Sequence, residues 1–320
     1  MTKKPSFQTV LTALEDTSTA FPSRYLEHFS DISETDLAAL MQRWPGLPQN
    51  RKRTLLQKLA ENYQQDTLAY YDDLAVGLLD DPDEQIRFLA LRLLVDADDT
   101  RILPRLVELA EGDSSLAVQT QAATVLGSFV ESGELEDISP ESQRLAEECL
   151  LRLSRVENAE IQRAALESLG YSSRPEAGVL IQNAFKKPDP TWVASALSAM
   201  GHSANEQYEE LVLSKLDDPN SDVRRSAVQA TGLLRMDSAR QFLLDLLEDE
   251  EDSEVFTAAI WSLSQIGGED VRVTLETLLD QAEDDNSIAY LEEALANLDF
   301  TEEMGAFSLL AIDPDEDPKD

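Results

Sequence analysis

Apolar residues recur along this chain in a four-residue beat, and the beat itself recurs. Residues 81–95 (Asp-Pro-Asp-Glu-Gln-Ile-Arg-Phe-Leu-Ala-Leu-Arg-Leu-Leu-Val) and 218–232 (Asp-Pro-Asn-Ser-Asp-Val-Arg-Arg-Ser-Ala-Val-Gln-Ala-Thr-Gly) share one frame: an apolar anchor, an alanine four residues on and an apolar position eight on. These positions fall on one face of an α-helix, so the frame predicts a buried stripe whose central alanine lets a neighbouring helix approach closely. The anchors are Ile86, Val118, Ile161, Trp192, Val223, Val255 and, more weakly, Tyr290; their alanines are Ala90, Ala122, Ala165, Ala196, Ala227, Ala259 and Ala294. Successive anchors stand 32, 43, 31, 31, 32 and 35 residues apart, the length of a helix–turn–helix unit stacked on the next. The predicted fold is all-α, a right-handed α-solenoid of stacked helical hairpins.

Punctuation between the stripes supports this division. Asp81-Pro82 and Asp218-Pro219 read as a capping carboxylate followed by a proline in the first helical turn. Gly127, Gly170, Gly201 and Gly232 follow the apolar position, where a short residue permits close packing or ends a helix. Second helices are predicted from the stripes Ile102, Leu103, Leu106 and Leu109; Leu145, Cys149 and Leu150; Leu180, Ile181 and Ala184; and Phe242, Leu243, Leu246 and Leu247. The 43-residue step holds a polar stretch, so residues 131–142 are read as an inserted loop.

Toward the N-terminus, residues 50–62 and 66–79 form a further helical pair, with Leu55, Leu56 and Leu59 on one face and Leu68, Tyr71, Leu74, Ala75 and Leu78 on the other. The domain reading is therefore an N-terminal helical cap over 1–48, in which Ser33 caps a helix that ends before Trp44-Pro45. A repeat array follows over 49–300, with a degenerate first repeat at 49–80, and then an acidic tail over 301–320 whose end, 313–320, is too charged and proline-rich to pack.

The repeats resemble HEAT repeats of the short type also found in phycobilisome lyases. Asp218-Pro219, Val223-Arg224, Ala227 and Gly232 carry the likeness, as do Val255, Ala259 and Ile266-Gly267. Residues 30–62 are also similar to the opening of a group of bacterial HEAT-repeat proteins without an assigned activity. The resemblance implies a fold; this repeat occurs in proteins of many functions. The arginine that follows the anchor is present only as Arg87 and Arg224, which implies an incomplete arginine ladder between repeats.

Charge narrows the partners. The chain has 26 Lys and Arg against 63 Asp and Glu, a formal charge of −37, which repels nucleic acid and anionic membranes. The excess is uneven: residues 1–60 hold eight basic and six acidic side chains, residues 61–320 hold 18 and 57. Arg51, Lys52, Arg53 and Lys58 supply much of the basic content, as a solvated helix face or a docking patch. No apolar stretch reaches the length of a signal peptide or a membrane span, so a cytoplasmic location is expected.

Candidate chemistry is sparse. His28 and His202 are isolated, and Cys149 lies on an apolar stripe, where a thiol is inert. The acidic run from Asp96 to Arg101 lacks both the glycine and the distal glutamate of a calcium loop. No catalytic residue, metal or cofactor is therefore expected. Binding of a protein or extended peptide, basic in character, is the expected function, with a lyase-like enzyme or chaperone the alternative and DNA binding disfavoured by charge. With the second helix of each pair lining the concave side, the partner surface falls on Arg105, Glu108, Glu148, Arg152, Gln182, Lys186, Glu210, Asp245 and Glu276.

Overall fold

The computed structural model describes residues 5–65 and 68–310, and their side chains except at 64–65 and 305–310. The acidic segment 313–320 lies outside the described residues, as do the first four residues. Contacts divide the chain into two units, Met1–Leu169 and Gly170–Asp320. The N-terminal unit contains α1 (Phe7–Glu15), α2 (Glu34–Arg43), α3 (Gln49–Gln65), α4 (Asp72–Leu78), α5 (Glu84–Arg92), α6 (Leu103–Gly112), α7 (Leu116–Glu134), α8 (Pro140–Leu153) and α9 (Ala159–Ser168). The C-terminal unit contains α10 (Pro175–Phe185), α11 (Pro190–His202), α12 (Glu209–Leu213), α13 (Ser221–Leu233), α14 (Arg240–Asp249), α15 (Ser253–Ile266), α16 (Glu269–Gln281) and α17 (Asp285–Leu310). There is no strand among the described residues, and the architecture is an α-solenoid of stacked hairpins.

The anchor frame occupies alternate helices, α5 to α17, and each of its seven alanines is completely buried. In the N-terminal unit α5 packs on α7 and α7 on α9; in the C-terminal unit α11 packs on α13, α13 on α15 and α15 on α17. Small residues draw these helices together. A Cβ added at Gly232 would lie 2.7 Å from the Ser262 Cα, and one at Gly201 would lie 3.1 Å from the Ala230 Cα. The glycines in these helices therefore serve close approach rather than helix termination. Ser168 and Ser262 donate across the same contacts, to the Ala123 and Val228 carbonyls at 2.9 and 2.8 Å. Position eight of the fifth frame is Thr231, fully buried, and its hydroxyl finds the Val228 carbonyl at 2.6 Å. Two anchors are only half-buried: Trp192 shares its place with buried Val193, and Tyr290 with buried Leu291.

The residue after the anchor secures the turn in four of the seven frames. Arg87, Gln119, Gln162 and Arg224 all donate to the carbonyl six residues before them, Asp81, Asp113, Val156 and Asp218, at 2.6 to 3.0 Å. The two arginines also reach the next repeat. Arg87 forks onto Asp113, both bonds 2.7 Å, and Arg224 onto Glu250 at 3.0 and 2.8 Å. Each carboxylate in turn accepts the N–H of the following helix cap, Ser115 or Asp252. Glutamine is too short and uncharged for the second contact, so the ladder is incomplete, as the sequence implied. Hydrogen bonding to Arg224 holds Glu250 below the usual carboxylate range.

Several local readings change. Asp83 and Asn220, not Asp81 and Asp218, cap α5 and α13. The Asp-Pro pairs stand just outside because each aspartate accepts the N–H two residues on, forming a turn that precedes the cap. The stretch read as an inserted loop is largely helix, since α7 continues to Glu134 and α8 starts at Pro140. Leu145 is 37% exposed, and the buried stripe of α8 is Ala146, Cys149, Leu150 and Leu153. Leu180, Leu246 and Leu247 are half-buried and Phe242 is exposed. Leu68 is outside any helix and 90% exposed. Helix α17 runs past residue 300 because Arg272 clamps Asp299 and Glu302 at 2.7 and 2.6 Å.

Residues 5–48 belong to the N-terminal unit rather than standing apart. The Trp44 indole donates to buried Asp81 at 2.7 Å, and the Lys52 ammonium lies over the Trp44 ring. The basic stretch of α3 is absorbed in the same way. Arg51 donates to the Asp16 and Thr19 carbonyls, Lys52 is buried, and Arg53 forks onto Asp83 at 2.8 and 3.0 Å.

Enlarging a central alanine should be felt at once. Ala227→Leu is expected to cost about 1–3 kcal/mol by overpacking, and Val223→Asp about 3 kcal/mol or more by burying an unpaired charge. Urea unfolding followed by circular dichroism checks both, and unchanged midpoints would refute the register.

Candidate functional site

In the C-terminal unit the anchor helices are the crowded row. Helices α12, α14 and α16 make no contact with one another comparable to those among α11, α13, α15 and α17. The exposed positions of α11, α13, α15 and α17 are therefore brought side by side on one face of this unit. The sequence reading placed the partner surface on the other row, the second helices.

A cleft of about 680 Å³ opens on this row, lined by residues of α11, α13, α15 and α17. The repeat brings equivalent positions side by side: Ser198, Gln229 and Trp261 form one line, and His202, Leu233 and Gln265 the next, one turn further along each helix. Gly201, Ala230 and Ser262 lie behind them, and their small size sets the spacing of the wall. Trp261 is half-buried, with its ring 6.3 Å from that of Tyr290. The Tyr290 hydroxyl donates to the Thr257 carbonyl at 2.9 Å, and burial, with Glu293 nearby, pushes its pKa to about 12, so it remains a neutral phenol. Arg225 is spanned between Asp222 and Glu254 at the rim. Gln229 and Gln265 make no hydrogen bond among the described residues and present both donor and acceptor to the cleft. At its edge His202 stacks on Tyr171, with centroids 4.4 Å apart.

Sequence reasoning did not single out Trp261, Gln229 or Gln265. Their signal was the 31- and 32-residue offset of exposed positions on the anchor helices, which had been used only to find the buried stripe.

The residues that had been singled out are on second helices. Arg105 and Glu108 on α6 pair with each other at 2.9 Å, and Arg105 also meets Asp80 at 2.7 Å. Arg152 on α8 is bound to Glu111 at 2.6 Å, and Glu148 is exposed beside it. Gln182 on α10, Lys186 just after it, Glu210 on α12, Asp245 on α14 and Glu276 on α16 are exposed. Both arginines thus complete ion pairs within the N-terminal unit.

The remaining candidates hold no assembled chemistry. Burial, with Glu111 alongside, raises the Cys149 thiol to about 12. The His28 ring is mostly buried, and its Nε2 lacks a hydrogen-bond partner. Asp96 accepts the Tyr63 hydroxyl at 2.6 Å, while Asp99 caps the following turn and pairs with Arg101. Among the described residues, no group of three or more His, Cys, Asp or Glu side chains is placed to hold a metal ion. No helix there is long and apolar enough to cross a membrane.

A sequence model described as HEAT repeats matches residues 71–151 and 209–296, just over half of the chain. The chain belongs to the HEAT-repeat family. No curated protein matches this HEAT-repeat chain in sequence. Among solved structures it is similar to the complex of CpcE and CpcF of phycocyanin lyase from Nostoc sp. PCC7120, at 17% identity over 71% of this chain and 94% of that chain, with a TM-score of 0.47. Human deoxyhypusine hydroxylase in complex with glycerol gives 17% identity over 83% and 97% of the two chains, with a TM-score of 0.38. A structure of Kap95p with RanGDP gives 13% identity over 91% and 51%, also at 0.38.

Two outcomes follow from these environments. Cys149 is expected to stay unreactive toward a disulfide reagent in the native protein and to titrate as one thiol once unfolded; rapid native labelling would contradict its burial. Asp72 is raised to about 6 by burial and by Asp98 and Asp73. Its folded pKa lies above the unfolded value, so its ionisation removes stability as pH rises from about 4 through 6. Asp72→Asn should therefore stabilise by roughly 1–2 kcal/mol at neutral pH, with the gain vanishing near pH 4 in thermal melts.

Proposed function

We propose that this HEAT array is a non-catalytic adaptor that binds a segment of another protein in the anchor-helix cleft of its C-terminal unit. The observation that carries this reading is the combination of the half-buried Trp261 ring with the unengaged amides of Gln229 and Gln265. An aromatic anchor supplies contact area at little conformational cost, and flanking amides match the alternating donors and acceptors of a polypeptide backbone. A polar rim around an apolar centre is the composition of a protein-binding surface. The cytoplasmic location belongs to the same proposal. So does the exclusion of nucleic acid, supported by the 57 acidic against 18 basic side chains of residues 61–320.

The partner is obtained by affinity capture and then titrated, purified, against the native chain and two variants. Trp261→Ala is expected to weaken binding about tenfold or more, and Gln229→Ala with Gln265→Ala by a smaller factor, at little change in melting temperature. Equal affinity for all three proteins would rule out the cleft.

A further inference from the structure

A second cleft of the C-terminal unit, about 630 Å³, opens where the turn before α13 meets α14. Its apolar lining includes Phe242, 39% exposed, with Pro219 and Leu246 beside it. The adjacent Leu243 is fully buried, so Phe242 projects from a helix whose packing stripe is already complete. The rim is acidic. Two of its carboxylates are neutralised from within: Asp218 by Lys215 at 2.9 Å, and Glu250 by the fork of Arg224. Asp217, Asp245 and Asp249 are exposed and, among the described residues, take part in no ion pair; Asp245 accepts only the Gln241 amide there, at 2.8 Å. Helix α14 has no basic residue in its last turn, so Asp245 and Asp249 add to the negative end of the helix dipole. Unpaired like charge around an exposed apolar floor is unfavourable in the free protein, and a cation carried beside an apolar side chain relieves both terms.

We propose that this cleft docks a basic segment of a partner protein, with an apolar side chain on Phe242 and lysine or arginine heads on Asp217, Asp245 and Asp249. Nucleic acid and anionic lipid are repelled by the same rim. The site uses the turn before α13 and the helix α14, none of which lines the Trp261 cleft.

The probe is a fluorescein-labelled peptide, Lys-Arg-Leu-Lys-Leu-Arg, titrated by anisotropy against the full chain, with a second peptide in which serine replaces both leucines. The triple variant Asp217→Asn, Asp245→Asn, Asp249→Asn is expected to weaken binding of the first peptide at least about tenfold, and Phe242→Ala about fivefold. A control triple, Asp280→Asn, Glu283→Gln, Glu292→Gln, removes the same charge from exposed positions elsewhere in the unit and should change affinity less than about twofold. The serine peptide should bind the native chain about as weakly as the leucine peptide binds Phe242→Ala. Equal losses from the two triples would show attraction to net charge alone and overturn the proposal, as would no effect of Phe242→Ala. Trp261→Ala should leave this affinity unchanged, so failure here and failure of the Trp261 cleft are told apart.

Discussion

The distance between successive anchor helices is the constraint from which the rest of each unit follows. Gly201 against Ala230 and Gly232 against Ser262 leave no room for another carbon, so these backbones come closer than larger side chains permit. At that spacing all seven frame alanines bury fully, five of the seven anchors are buried, and serine hydroxyls bridge to carbonyls of the neighbouring helix. In the C-terminal unit the second helices α12, α14 and α16 make no comparable contact with one another, whereas α6 and α8 of the N-terminal unit do pack together. Close approach rather than any single bond thus makes neighbours of the exposed positions on the anchor helices.

How much of this was legible in the sequence depends on which physical term a position reports. Burial reports itself through period: all seven alanines read from the frame are solvent-inaccessible, and Ser33 caps its helix as read. Phase is harder. Asp81 and Asp218 have the composition of caps, but the turn they close displaces the cap by two residues. The assignment of Trp192 and Tyr290 as anchors failed by one position because a large ring at the stripe's edge yields its place to a neighbouring Val or Leu. Which exposed positions become neighbours was not read from period within one helix, since that depends on the packing of helices that are about 30 residues apart in sequence.

Charge was legible in amount but not in disposition. The basic side chains of α3 were visible as a cluster, yet each of Arg51, Lys52 and Arg53 is directed at an internal carbonyl, carboxylate or ring. Arg87, Arg105, Arg152 and Arg224 are likewise engaged. With so few cations and so many of them committed to internal structure, the surface is more acidic than the composition suggests. Exposed cations such as Lys186 and Arg235 are few against the exposed carboxylates, so the surface favours a cationic partner.

The arginine fork has a mechanical side. Joints closed by Arg87 and Arg224 are double-fastened, at the turn of their own repeat and at the entry of the next, whereas those with Gln119 and Gln162 are fastened only at their own turn. Interactions in such stacks are between neighbours, so stiffness is set joint by joint. Within the N-terminal unit, strain imposed by a bound partner therefore collects at the singly fastened Gln119 joint, while the Arg87 joint moves as a block.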